Sequence, residues 1–157
     1  METINILSPL GIIKITGDVK GISKIHIVDQ PIEITNEIPE IFKIAVSELQ
    51  EYFDGKRTKF TFKINPIGTE FQKKIWQELI NIPFGKTCSY IELSKKIGDA
   101  KAIRAVAAAN GKNPLWIVIP CHRVIGTNGS LTGYAGGLWR KKWLLEHENP
   151  SKQESLF

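Results

Sequence analysis

The chain has 157 residues, 42% of them hydrophobic, so it can bury a real core as one large domain or two small ones. Its two cysteines, Cys88 and Cys121, exclude a disulfide framework, and with three scattered histidines they exclude a four-ligand metal site; no metal is expected. Charge is uneven, with net −1 over residues 1–65 and net +6 over residues 66–157. A polyanionic partner for the basic half therefore stands beside the plainer reading of a Lys-rich chain.

In chain order, residues 4–7, 12–16 and 22–28 read as short strands, with a turn at Ser8-Pro9-Leu10-Gly11. Ile25 and Ile27 alternate with Lys24 and His26, which puts His26 on a polar face. Residues 40–53 predict a helix with Ile41, Ala45, Leu49 and Tyr52 along one stripe and Gly55 as its stop. KFTFKI, residues 59–64, alternates Phe60, Phe62 and Ile64 as a strand does. Asn65-Pro66-Ile67-Gly68 breaks the pattern, and a domain boundary is expected there, dividing residues 1–65 from 66–157.

The second half reads as helices. Thr69-Glu70-Phe71-Gln72 is a capping box opening a helix with Phe71, Ile75, Trp76 and Leu79 inward, and Ser89-Tyr90-Ile91-Glu92 is another. Gly98 stops that second helix, Asp99 caps the next, AKAIRAVAAAN, and Gly111 ends it. The pair has the outline of a helix-turn-helix. Its second member offers Lys101, Arg104 and Asn110 amid alanines. That composition fits close, sequence-blind contact with a DNA backbone, and equally an alanine face packed on a neighbouring helix.

LWIVIPCHRVIG, residues 115–126, runs apolar to Pro120 and then presents Cys121, His122 and Arg123. A cysteine ending a buried strand is either a small packed hydrophobe or a nucleophile. His122 as proton carrier and Arg123 as nearby positive charge favour thiolate chemistry. Neighbouring side chains on extended backbone point apart, so a water or a third residue would have to link Cys121 and His122. In LWRKKWLLEHE, Glu148 follows Leu144 by four and Leu145 by three, sharing their apolar face. An inward carboxylate needs a partner, and His122 would serve; at a helix end it could instead reach water. Between them GTNGSLTGYAGG, with five glycines in twelve positions, lacks the order of a phosphate loop. It reads as a lender of backbone groups to a flat ligand, or as a connector. Asn128-Gly129-Ser130 reads as a turn. Neither a secretory leader nor a run of ~18 apolar residues is visible, so a cytoplasmic chain with reduced thiols and no membrane partner is expected.

PCHRV, the Gly-Tyr-Ala-Gly-Gly loop and the terminal Leu-Leu-Glu-His-Glu together resemble the O6-alkylguanine-DNA alkyltransferases, the methylated-DNA–protein-cysteine methyltransferase family. The resemblance extends through SYIELS, KAIRAV and KNP over nearly all of residues 68–148. The first 65 residues match in overall layout. It implies an α+β fold: a small N-terminal ribonuclease-H-like α/β domain, then a helical domain with a winged helix-turn-helix. It implies stoichiometric repair of duplex DNA carrying O6-alkylguanine, and of O4-alkylthymine as well, by a monomer without cofactor. Carried over by position, Cys121 resembles the alkyl acceptor, His122 and Glu148 its water-mediated relay, and Asn113 the brace of that network. Tyr90 resembles the hydroxyl addressing N3 of guanine, and Arg104 the finger replacing a flipped base. Lys101, Asn110 and Arg123 are expected among the DNA contacts. The carbonyls of Cys121 and Val124 would accept the exocyclic amine, and Tyr134 would wall the pocket. Ala135 and Gly136 complete it; some members carry Ser at position 135, so only a backbone N–H can reach O6 here. The Cys and His ligands that give some members a zinc are missing. Trp116 precedes the pocket.

Overall fold

The computed structural model describes residues 1–126, 129, 131 and 133–150. The Asn128-Gly129-Ser130 turn therefore lies, but for its glycine, outside the described residues. Among the described residues no helix is long and apolar enough to cross a membrane. The chain divides into two compact units, residues 1–67 with 114–116, and residues 68–113 with 117–157.

The first unit is built on an antiparallel meander, β1 (Glu2–Ser8), β2 (Gly11–Asp18) and β3 (Gly21–Val28), in that order across the sheet. The β1–β2 turn is held by the Ser8 hydroxyl, which accepts from Leu10 N–H at 3.1 Å and donates to Gly11 O at 2.8 Å. Period-two alternation sends Ile4, Ile6, Ile13, Ile15, Ile25 and Ile27 to one buried face. His26 and Lys14 are cross-strand partners on the other. Helix α1 (Lys43–Phe53), entered through a 3-10 turn at Glu40–Phe42, packs against β1. Ala45, Leu49 and Tyr52 are buried as their spacing demands, but Phe42 takes the inward place expected of Ile41, which is 37% exposed. The 3-10 turn advances more per residue than an α-helix and so shifts the stripe by one position.

Residues 59–64 do not form the expected strand. A single parallel bridge joins Ile64 to Ile22, and the rest is organised by a side chain. The buried Glu48 carboxylate accepts from Thr61 N–H at 2.7 Å and Phe62 N–H at 3.3 Å, and Arg57 pairs with it at 3.3 Å. An acceptor bound to these amides removes them from any ladder. The expected strand through LWIVI is absent too. Ile25 N–H donates to Pro114 O at 2.8 Å and Trp116 N–H to Ile25 O at 3.0 Å. Then Ile117 turns the chain at φ 75°. Trp116 meets His26 edge-on at 6.1 Å within this first unit.

The second unit contains α2 (Glu70–Ile80), β4 (Cys88–Ser89), α3 (Tyr90–Lys96), α4 (Ile103–Gly111), β5 (Val124–Ile125) and α5 (Leu138–Glu148). Both capping boxes are present, Thr69 with Gln72 and Ser89 with Glu92. Ile75, Trp76 and Leu79 are buried on α2, whereas Phe71, expected inward, is 40% exposed. Trp76 Nε1 donates to Ala109 O at 2.9 Å, tying α2 to α4. Asp99 accepts from Lys101 N–H at 2.8 Å and opens a 3-10 turn, Ala100–Ala102, that runs into α4. Gly111 ends α4 from inside the helix, with Lys112 rather than a left-handed glycine as the cap.

Candidate active site

Pro120, at φ −82° and ψ 64°, makes an inverse γ-turn in which Cys121 N–H donates to Ile119 O at 2.8 Å. Residues 121–123 follow as one 3-10 turn, closed by Arg123 N–H to Pro120 O at 3.0 Å. The turn changes what the extended reading implied, since Cys121, His122 and Arg123 are all buried. Asn113 braces it, donating through Nδ2 to Ile119 O at 2.6 Å and hydrogen-bonding the Cys121 thiol.

Cys121 is 4% exposed. Burial pushes its thiol up to about 11, against the opposing pull of the Asn113 hydrogen bond and the Lys141 charge. That burial favours the protonated form, and the charge opposing it is not that of Arg123, the cation expected to promote a thiolate. The cation acting on it is Lys141, fully buried, with Nζ 2.7 Å from Val124 O and 3.3 Å from Gly133 O. Desolvation brings the Lys141 ammonium down to about 8, with the Cys121 charge resisting.

His122 is wholly buried and its Nε2 lies 2.7 Å from Glu148 Oε2. A carboxylate only accepts, so Nε2 is the ring nitrogen that carries a proton toward Glu148. Nδ1 is buried with no hydrogen-bond partner among the described residues. Glu148 also takes Arg123, Nε to Oε1 at 2.7 Å and Nη2 to Oε2 at 3.0 Å. Burial opposes its ionisation, but His122 and Arg123 together hold the carboxyl well below the usual range.

Arg123, expected among the DNA contacts, is instead turned inward. It is 6% exposed, forked onto Glu148, and its Nη1 donates to Ile82 O at 2.7 Å. Asn110, also expected among the DNA contacts, is likewise buried, on the face of α4 with Val106 and Ala109. Arg104, Ala105, Ala108 and Gly111 form the exposed stripe of α4, with Lys101 exposed just before it. The alanines are therefore divided: Ala109 packs inward, and Ala105 and Ala108 face solvent.

Tyr90 opens α3, directly after the parallel pairing of Cys88 with Val124 and Ser89 with Ile125, and is half-buried. The phenolic oxygen of Tyr134 is buried. Burial pushes the phenol well above its ordinary value, reinforced by Cys121 charge and opposed by Arg140. Gly137 N–H to Tyr134 O at 2.9 Å closes the turn that holds exposed Ala135 and buried Gly136. Among the described residues no cluster of three or more His, Cys, Asp or Glu is placed to hold a metal.

Two family models match the chain: the ribonuclease-like domain of 6-O-methylguanine DNA methyltransferase over residues 4–66, and the DNA-binding domain over residues 70–150. The chain belongs to the 6-O-methylguanine DNA methyltransferase family. A methylated-DNA–protein-cysteine methyltransferase of Methanosarcina acetivorans is 46% identical over 146 residues, covering 90% of this chain and 94% of its own. That of Mycolicibacterium paratuberculosis is 44% identical over 153 residues, covering 95% and 93%. The crystal structure of Mycobacterium tuberculosis OGT in complex with DNA is 41% identical, with a TM-score of 0.87 over 96% of this chain and 94% of that one. Within this methyltransferase fold the sequence reading missed Lys141 and Arg140. The available signal was two adjacent cations at the start of a helix, where the dipole disfavours them.

Proposed function

We propose that the chain repairs duplex DNA by taking an alkyl group from O6 of guanine, and from O4 of thymine, onto Cys121. The observation that carries this reading is a buried thiol, hydrogen-bonded by Asn113 and faced by Lys141, one residue from a His122–Glu148 pair whose free nitrogen can accept its proton. Those are the parts of an activated nucleophile and its oriented base.

The damaged base leaves the stack and enters beside Cys121, at a cost of a few kcal/mol that phosphate contacts and Arg104 recover. The exocyclic amine is received by the Cys121 and Val124 carbonyls, and O6 by the Ala135 N–H. The thiol proton passes through a water to His122 Nδ1. Sulfur then attacks the alkyl carbon in line, the S–C bond forming as the C–O6 bond breaks, and the electron pair goes to guanine. Tyr90 at N3 neutralises that developing charge, and solvent restores the proton. The sum is thiol and O6-alkylguanine in, thioether and guanine out. A thioether offers water no carbonyl to attack, so each chain acts once, as a monomer with no cofactor. Such a reduced thiol fits a cytoplasmic setting.

Incubated with O6-methylguanine duplex, the protein is expected to gain one methyl group on Cys121, read by intact and peptide mass spectrometry, and Cys121→Ser to gain none. More than one guanine restored per chain would exclude the mechanism.

A further inference from the structure

Residues 133–137 are gripped at two points by consecutive basic side chains of α5. Lys141 reaches Gly133 O, and Arg140 Nη1 donates to Gly136 O at 3.0 Å. Arg140 is only 6% exposed, and its guanidinium lies 4.7 Å from the ring centroid of Trp139, itself 55% exposed. Both cations stand at the start of α5, where the helix N–H groups already make the potential positive and the first turn carries no acidic residue. Burial and dipole both work against them, so their presence asks for a reason beyond stability.

That reason lies in the loop they hold. It has glycines at 133, 136 and 137, the last at φ 93°, and no side-chain hydroxyl at position 135. A donor on such a backbone contributes to a transition state only if it is fixed before reaction. We propose that Arg140 is a positioning residue for alkyl transfer: its bond to Gly136 O, clamped by Trp139, fixes the loop so that the Ala135 N–H meets O6. This rests on the reading of Cys121 as the alkyl acceptor.

Single-turnover transfer from O6-methylguanine duplex tests it, with rate constant and half-saturating protein concentration measured separately for the full chain, Arg140→Met, Arg140→Lys and Trp139→Ala. Misplacing a reacting contact by about 1 Å costs up to ~100-fold. Arg140→Met is expected to lower the first-order constant roughly 10- to 100-fold with half-saturation nearly unchanged. Arg140→Lys should recover part of the rate, and Trp139→Ala should lose a smaller part. If the wild-type chain takes up no methyl, the reading of Cys121 fails. If it does and Arg140→Met is equally fast, or loses only half-saturation, the role of Arg140 alone is overturned. Should Arg140→Met not fold by its thermal melt, Arg140→Lys decides: an intermediate rate constant supports the role and a wild-type one overturns it.

Discussion

Glu148 receives three hydrogen bonds on its two oxygens, from one imidazole and one guanidinium. Its carboxyl is held below its unfolded value, so its contribution to stability is full above the ordinary carboxylate range and is lost as acid protonates it. Glu148→Gln leaves the Arg123 charge buried without its partner. It is expected to cost about 3 kcal/mol in urea unfolding at neutral pH, with that difference shrinking as the pH falls below about 4. Lys141 carries a separate prediction. With Cys121 near 11 and Lys141 near 8, the first proton lost comes mainly from the ammonium, so the charge that helps the thiol ionise is full below about pH 8 and fades above it. Lys141→Met should move the inflection of the transfer rate upward and slow transfer about tenfold per unit moved, measured as rate against pH. The position of Glu148 was legible because two leucines at helical spacing pointed it inward. The burial of Arg123 and Lys141 was not, since a cation reads as exposed until the acceptor that holds it is known.

At the scale of elements, the capping boxes at Thr69 and Ser89 could be read residue by residue, because a cap is a local bond. The meander was equally legible from alternation and turn chemistry. KFTFKI and LWIVI misled for a common reason. Alternation or an apolar run describes which side chains are buried, while a strand also requires a neighbour with free amides. Glu48 occupies those amides in one case, and Pro120 and Ile117 bend the chain away in the other. For α4 the exposed stripe of Arg104, Ala105, Ala108 and Gly111 is narrow and small, apt for close approach to a groove. Arg104→Ala is therefore expected to slow repair of duplex substrate at least tenfold while attack on free O6-benzylguanine changes little. Equal losses in the two assays would remove the base-replacing role.

At the scale of the whole molecule, the net +6 of residues 66–157 gains meaning from where the charges fall. Lys73, Lys74, Lys86, Lys95, Lys96, Lys101, Arg104, Lys112 and Lys142 are exposed, whereas Arg123, Arg140 and Lys141 are spent inside. Composition alone could not divide these two populations. Binding to undamaged duplex should depend on the exposed set and on released counterions. Affinity is expected to fall at least tenfold between about 50 and 200 mM salt, with little dependence on flanking sequence, in anisotropy titrations. A strong preference for one flanking sequence would contradict a helix that offers alanines where base-reading side chains would stand.

Ile117, wholly buried and β-branched, keeps a left-handed backbone that its own side chain resists, at roughly 1–3 kcal/mol. Glycine there would relax the torsion and leave a hole in the interior; any bulkier residue would fill the hole and keep the torsion. Both escapes lead uphill, so the bend three residues ahead of Pro120 is locked by the absence of a better amino acid rather than by one that suits it.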